Sequence, residues 1–184
     1  MRLDVRSDIT QVLKMLNETQ QQIVPKVAAR SLNKTITTVN SEAARQIKKD
    51  LGDGLTISAV KAGITKINAT PKKLYAALYA KGRRIPIIKL DPRARQNETG
   101  ISYKNNSRGR ISIPHAFLAT MKNGHLGVFM RKGQERLPIK ELMGPSLPKV
   151  FSNDVILKAM ERIAKERWMQ VFQHELEYEL KKFK

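Results

Sequence analysis

Residues 109–150 constrain the fold most, because short alternating segments lie there between two long helical patterns. Apolar residues occupy every second position at residues 110–113 and 126–131, which predicts two short strands. Asn-Gly, Lys-Gly and Gly-Pro-Ser turn signals punctuate them. The helical patterns on either side need a sheet to pack on. We therefore expect this segment to form the middle of a small antiparallel sheet.

Apolar residues recur at helical spacing before this segment. Ser7 or Asp8 is a candidate cap for a first helix. At Pro25 this helix must either kink or restart with Pro25 in the first turn of a second helix, and we expect the restart. Gly52 follows the second helix as a C-terminal cap. The stripe of the first helix is Ile9, Val12, Leu13, Leu16 and Ile23, and that of the second is Ala28, Leu32, Ile36, Val39, Ala43, Ile47 and Leu51.

A third helical stripe runs over residues 154–183, with Ser152 or Asn153 as its cap and Asp154 in its first turn. It would span roughly 45 Å at about 1.5 Å per residue, more than a small sheet covers. Its far end is expected to pack against the first helix or a neighbouring subunit. Residues 55–70 fit either a short helix or a strand, and residues 74–81 are predicted as a strand.

Together these patterns predict an α+β fold, with a small antiparallel sheet packed by N-terminal helices and a long C-terminal helix. At 184 residues the chain is expected to form a single domain. Its parts are a helical region over residues 1–52, a sheet with a basic loop over residues 53–150, and the C-terminal helix over residues 151–184.

The net charge of +19 permits binding to a polyanion or to an acidic protein surface. Residues 26–49 hold six basic residues and one acidic residue. The face opposite the apolar stripe carries Arg30, Lys34, Arg45 and Lys48 or Lys49. Residues 81–110 hold nine basic and two acidic residues, and we interpret them as a long loop containing a hairpin that pairs Ile101 and Tyr103 with Ile113 and Ile111. The two regions are either solvated surfaces or contacts for DNA or an acidic partner. The candidate contact residues are Arg30, Lys34, Arg45, Arg83, Arg84, Arg93, Arg95, Arg108 and Arg110.

The chain lacks the patterns that announce catalysis or metal binding. It has no cysteine, no Gly-rich phosphate loop, no His-Glu-x-x-His pair and no Gly-x-Ser-x-Gly elbow. His115, His125 and His174 are far apart in the sequence. We therefore predict no enzyme activity, no catalytic residues, no cofactor and no metal. Neither a signal peptide nor an apolar run of membrane-spanning length occurs, so no membrane association is expected.

Residues 128–146 resemble the signature of the minor tail protein Z family of long-tailed bacteriophages and prophages. The stretches Arg83-Arg84-Ile85-Pro86 and Ala116-Phe117 resemble the middle region of the same family. The motif is long and mixed in composition, and it marks a fold rather than a chemistry. Its residues are Val128, Phe129, Arg131, Gly133, Arg136, Pro138, Ile139, Glu141, Leu142, Gly144, Pro145 and Ser146.

The resemblance implies a structural tail completion protein at the head-proximal end of a phage tail, assembled in the host cytoplasm and retained in the virion. It implies a role in tail maturation and in joining the head to the tail. A ring of identical subunits, six to match the tail tube, would contact the tube or terminator protein, the head connector and double-stranded DNA. The alternative function is a free, non-specific DNA-binding protein that uses the basic helix face and loop.

Overall fold

The computed structural model describes residues 2–6, 18–106 and 109–183. The predicted α+β class is confirmed. The helices are α1 (Glu18–Leu51), α2 (Ile57–Ala62), α3 (Ile87–Leu90), α4 (Leu147–Phe151) and α5 (Asp154–Leu180). The strands are β1 (Arg2–Arg6), β2 (Ile64–Ile67), β3 (Tyr75–Ala80), β4 (Arg84–Pro86), β5 (Arg95–Asn97), β6 (Gly100–Asn105), β7 (Gly109–Pro114), β8 (Ala116–Thr120), β9 (Leu126–Arg131), β10 (Ile139–Glu141) and β11 (Met143–Ser146).

The chain divides into two compact units. The first contains the described residues of Met1–Ala43, Ile64–Ala80 and Ser152–Lys184, and the second those of Ala44–Gly63 and Lys81–Phe151. The single domain predicted over residues 1–184 stays a prediction.

Helix α1 continues through Pro25, so the predicted helix restart at this residue is wrong. An internal proline costs about 3 kcal/mol, since it removes one backbone hydrogen bond and crowds the preceding turn. Val24, Val27 and Ala28 are buried on both sides of it, and burying one Val side chain contributes about 1.5–3 kcal/mol. Burial therefore offsets the local cost. The predicted first-helix cap and its stripe from Ile9 to Leu16 lie outside the described residues.

The first unit contains a three-stranded antiparallel sheet in the order β1-β3-β2. The predicted strand at residues 74–81 is confirmed as β3, whose Ala76, Ala77 and Leu78 are buried. Asn33 of α1 ties down the segment after β2: its Oδ1 accepts from the Ala69 N–H at 2.7 Å, and its Nδ2 donates to the Ala69 carbonyl at 3.0 Å. A single amide side chain thus satisfies both backbone groups of a buried residue.

Helix α5 begins as predicted, with Asn153 accepting a hydrogen bond from the Val155 N–H at 3.0 Å. Its Ile156, Met160 and Ala164 are buried. Further along, Trp168 and Phe172 pack against Val24 and Ala28 of α1 together with Leu74. The middle of α5 therefore packs on α1 within the first unit. The predicted packing of its far end against the first helix or a neighbouring subunit stays a prediction, because most of that helix lies outside the described residues.

Both interpretations of residues 55–70 apply in turn, because a short helix is followed directly by a strand. Thr56 caps α2 by accepting from the Ala59 N–H at 3.1 Å, and β2 then begins at Ile64. Helix α1 ends at Leu51, and the Gly52 N–H donates to the Lys48 carbonyl at 3.0 Å. The predicted C-terminal cap at Gly52 is confirmed, with a positive φ of 137°.

The second unit contains three small antiparallel sheets, in the orders β5-β6-β7, β10-β9-β8 and β11-β4. The prediction of one sheet centred on residues 109–150 is therefore wrong. The sheets do not join into one because proline lacks the backbone N–H that hydrogen bonding to a further strand requires. Pro86 ends β4, Pro114 ends β7, and Pro145 lies within β11.

The predicted basic loop over residues 81–110 is also wrong as a loop, because it contains β4, α3, β5 and β6. Each element is short and buries at most two apolar side chains, too few to show a period in the sequence. The hairpin predicted inside it is confirmed, with Ile101 opposite Ile113 and Tyr103 opposite Ile111. Gly100 begins β6 where a Cβ atom would lie 2.1 Å from the Ile113 carbonyl oxygen. Only glycine fits that approach.

Candidate functional site: a cationic sheet face

The β5-β6-β7 sheet has one apolar face and one cationic face. Alternate residues of a strand point to opposite faces, and residues in register share a face. Arg95 is in register with Ser102, and Ser102 with Ser112. Two residues further along β6, Lys104 lies opposite Arg110. The opposite face packs into the core of the second unit and carries Ile101, Tyr103, Ile111 and Ile113.

The cationic face opens into a cleft of about 630 Å³. Four basic and two acidic side chains line it, so the formal charge of the lining is +4 − 2 = +2. The lining residues come from the loop after α1, the turn before β5 and the three strands of the sheet. The lining residues are Asp53, Asp91, Pro92, Arg93, Arg95, Lys104 and Arg110.

Both carboxylates of the cleft already bind other groups of the chain. Asp91 Oδ1 accepts from the Arg93 backbone N–H at 2.9 Å, and its Oδ2 accepts from the Lys104 backbone N–H at 2.7 Å. Asp53 Oδ1 accepts from Asn106 Nδ2 at 3.2 Å. Asp91 thus fastens the turn that carries Arg93 to the strand that carries Lys104. The two acidic groups therefore hold in place the segments that line the cleft.

The basic side chains of the cleft face solvent. Arg93, Arg95, Lys104 and Arg110 are all exposed. Arg110 donates from Nη1 to Ser102 Oγ at 3.0 Å. Within residues 18–106 and 109–183, none of the four side chains forms an ion pair with a carboxylate. Their charge is therefore available to an external anion.

The glycine-containing loop after α1 closes one side of the cleft. The Gly54 N–H donates to the Leu90 carbonyl at 3.1 Å. A Cβ atom at Gly54 would lie 2.3 Å from the Lys89 carbonyl oxygen, so the two backbones touch. This contact positions Asp53 at the rim, where it holds Asn106 of the β6–β7 connection.

The remaining candidates of the second unit lie elsewhere on it. Arg83 is exposed just before β4, and Arg84 is exposed on β4, where its Nε donates to the Gly144 carbonyl at 3.2 Å. Arg45 is exposed on α1 and already interacts with another group of the chain. Arg108 lies outside the described residues. The cleft therefore brings together Arg93, Arg95 and Arg110 from the candidate set.

Arg30 and Lys34 are exposed on α1, but both already contact carboxylates of α5. Arg30 bonds to Glu179 and lies 4.0 Å from Glu175 Oε2, and Lys34 bonds to Glu175. Glu175 is buried. Hydrogen bonds from the Arg30 guanidinium and from Lys182 hold the pKa of Glu179 below its usual range. These two cations therefore help fasten α5 to α1 inside the first unit.

Lys104 belongs to the site although the nine candidates omit it. The signal was available in the sequence, because the predicted pairing of Ile101 with Ile113 places Lys104 directly opposite Arg110. The sequence identifies Asp91 only as an acidic residue within the basic segment of residues 81–110. Its role depends on its contacts with two backbone N–H groups, which no spacing rule reveals.

Several of the family-motif residues lie on β9 or on the strands beside it. Val128 is buried in the core, while Phe129 packs on Phe117 of the adjacent strand with ring centroids 6.3 Å apart. The Arg131 guanidinium lies 6.0 Å from the Phe117 ring centroid. Glu141 Oε1 lies 2.8 Å from His125 Nε2. This part of the motif builds the sheet β10-β9-β8.

The rest of the motif connects that sheet to the remainder of the second unit. Gly144 is buried where a Cβ atom would lie 2.4 Å from Leu90 Cδ1, and Ser146 Oγ accepts from the Lys149 N–H at 3.4 Å at the start of α4. The Leu142 carbonyl accepts a hydrogen bond from the Ile87 N–H at 3.2 Å, and the Leu142 N–H donates to the Val128 carbonyl at 2.8 Å. Pro138 and Ile139 lead into or lie on β10, and Gly133 and Arg136 lie in the exposed β9–β10 turn. The buried residues of the motif thus serve packing, whereas those of residues 131–138 are exposed.

Among the described residues there is no group of three or more His, Cys, Asp or Glu side chains placed to hold a metal ion. No described helix is both long and apolar enough to cross a membrane.

The comparisons with known proteins agree with the motif. No curated protein and no solved structure matches the chain. The family model described as prophage minor tail protein Z matches residues 8–184, nearly the whole sequence. The chain therefore belongs to the prophage minor tail protein Z family, a family of structural phage tail proteins.

Proposed function

We propose that this minor tail protein completes the tail at its head-proximal end and is needed for tail maturation and for joining the head to the tail. Six copies form a ring around the DNA path, in contact with the tail tube or terminator protein and with the head connector. The protein is a structural part of the virion, assembles in the host cytoplasm and has no enzyme activity. Neither a cofactor nor a metal takes part.

The cationic face of β5–β7 carries this proposal. Lys104 and Arg110 lie directly opposite each other, and like charges in that position destabilise a sheet. A polyanion or an acidic protein against the face would neutralise both charges. Both kinds of partner exist at a head–tail joint, because the genome passes there and other virion proteins meet there. Membership in a tail protein family supports this location.

A free, non-specific DNA-binding protein is the second candidate function. The same cationic face favours it, since electrostatic contacts with phosphates suffice for binding without sequence readout. The two functions differ in where the protein is found. A virion component is present in purified particles, whereas a free DNA-binding protein is absent from them.

Charge reversal on the cationic face tests the proposed function in the phage that encodes the chain. In the double variant Arg93→Glu/Arg95→Glu, both side chains are exposed, so the fold is expected to survive. We expect the infectious titre to fall at least about tenfold, with unjoined heads and tails visible by electron microscopy. The matched control is Lys122→Glu/Lys140→Glu, which reverses two exposed charges outside the cleft.

Labelling with an antibody raised against the protein locates it in the particle. We expect the label at the head-proximal end of the tail. Particles that lack the protein, or normal titres from the cleft variant, would refute the proposed function.

A further inference from the structure

We propose that the cationic face binds the phosphodiester backbone of double-stranded DNA, with Asp91 as a positioning residue that aligns its cations. This inference rests on the proposed function, in which the same face meets either DNA or an acidic protein. It assigns the partner and adds a residue that the sequence alone does not identify as functional.

The spacing of the cations suits a row of phosphates. Neighbouring strands lie about 4.8 Å apart, and residues on one face of a strand are about 6.6 Å apart. Arg95, Lys104 and Arg110 therefore cover a patch roughly 10 Å across. A duplex advances about 3.4 Å along its axis per phosphate of one strand. The patch thus spans about three phosphates of one strand.

The chemistry of the face favours a duplex over single-stranded DNA. Single-strand binders stack unpaired bases on exposed aromatic rings. In the described part of this sheet the aromatic residue is Tyr103, which is buried on the opposite face. None of the lining residues lies in a helix that could enter a groove, and their side chains are charged apart from Pro92. We therefore assign the contact to the phosphate backbone of the duplex rather than to the base edges.

The composition of the cleft also favours phosphate over an acidic protein. Protein interfaces have an apolar core surrounded by a polar rim. The lining of the cleft consists of charged side chains and Pro92. Three of its four cations are arginines, whose planar guanidinium groups bind phosphate oxygens in a bidentate way. A face that recognises its partner through charge alone therefore suits the phosphate backbone of DNA better than an acidic protein.

Asp91 has a role whose sign can be tested. Its two oxygens accept hydrogen bonds from the backbone N–H groups of Arg93 and Lys104. As a simple charge, Asp91 would repel DNA, and its neutralisation would tighten binding. As a positioning residue it holds two cations in one patch, and its loss would weaken binding. The Asn side chain of Asp91→Asn can accept only one of the two hydrogen bonds, because its amide group is a donor.

The test measures binding of the purified full-length protein by fluorescence anisotropy between 50 and 200 mM salt. The probes are a mixed-sequence 20-base-pair duplex, a single strand of the same length, and polyglutamate of equal charge. The variants are Arg95→Gln, Lys104→Gln and Asp91→Asn, and the control is Lys122→Gln. Urea unfolding of each variant shows whether it is folded, and the Arg95 and Lys104 variants test the face independently of Asp91.

We expect the duplex to bind tightest, with a slope of log K against log salt of about −3.6 if each of the four cations of the cleft, Arg93 included, neutralises one phosphate. Arg95→Gln and Lys104→Gln are expected to weaken duplex binding about fivefold or more and to reduce the slope by about one. Asp91→Asn is expected to weaken it about threefold, while Lys122→Gln leaves the affinity within about twofold.

Tighter binding of polyglutamate would overturn the inference in favour of an acidic protein, and tighter binding of the single strand would overturn the duplex assignment. Increased duplex affinity in a folded Asp91→Asn variant would overturn its positioning role. If the duplex does not bind while Arg93→Glu/Arg95→Glu still lowers the titre, the inference fails and the proposed function stands. If the duplex binds but virions lack the protein, the proposed function fails.

Discussion

Removing the charge of Lys104 is expected to stabilise the fold while it weakens the proposed contact. Lys104 lies opposite Arg110 on the cationic face, and directly opposite side chains have Cβ atoms about 4.5–5.5 Å apart. Two unit charges about 6 Å apart in water repel by about 0.7 kcal/mol. With a Debye length of about 10 Å at 0.1 M salt and about 3 Å at 1 M, this repulsion falls to about 0.4 and about 0.1 kcal/mol.

The assay is urea unfolding of Lys104→Gln and of the unchanged protein at 0.1 M and 1 M salt. We expect the variant to gain about 0.4 kcal/mol of unfolding free energy at low salt and almost none at high salt. Lys122→Gln is the control, since it lowers the net charge equally at an exposed turn position. Arg110→Gln is a poorer probe, because it also removes the hydrogen bond to Ser102.

Loss of stability in Lys104→Gln at low salt, or a gain that salt does not reduce, would refute the electrostatic reasoning. An equal gain in Lys122→Gln would assign the effect to the net charge of the whole protein. The double variant Lys104→Gln/Arg110→Gln completes a cycle that isolates the pairwise repulsion.

Three further outcomes follow from packing and from ion pairs. Gly100→Ala should cost about 3 kcal/mol or more in urea unfolding, because its Cβ atom meets a backbone carbonyl, whereas Gly133→Ala, with open space around it, should change stability by less than about 1 kcal/mol. Asn33→Ala should cost about 1–3 kcal/mol, since a buried backbone donor and acceptor lose their partners; an unchanged unfolding midpoint would contradict this. The pKa of Glu179 is lowered by Arg30, so its contribution to stability is present above the unfolded pKa of about 4.3 and is lost as the pH falls below it. In acid titrations followed by circular dichroism, Glu179→Gln should show a weaker loss over that range, and identical titrations would refute the assignment.

Long periodic segments were predictable from the sequence. The apolar stripe that ends at Leu51, the cap at Asn153 and the strand at residues 75–80 all appear as expected, because many residues repeat one local preference. The pairing of Ile101 with Ile113 was also predictable, since alternation on both sides of a turn determines it. Helix continuation through Pro25 was not predictable from local rules, because burial by distant residues outweighs the local cost.

The candidate site was predictable in composition rather than in arrangement. Arg93, Arg95 and Arg110 were found by charge density, and the structure gathers them in one cleft. Arg30 and Lys34 carry the same charge, but contacts about 140 residues away in the sequence decide their role. No local pattern distinguishes a cation that meets solvent from one that meets a distant carboxylate.

The two-faced sheet has a consequence for how the hairpin tolerates change. Strand alternation has a period of two, so a shift of β7 by one residue would move Arg110 to the core side and carry Ile111 into water. A misaligned pairing is therefore unfavourable for two reasons, because it buries a cation and because it exposes an isoleucine to water. The charges that weaken the correctly paired hairpin also protect it against slippage.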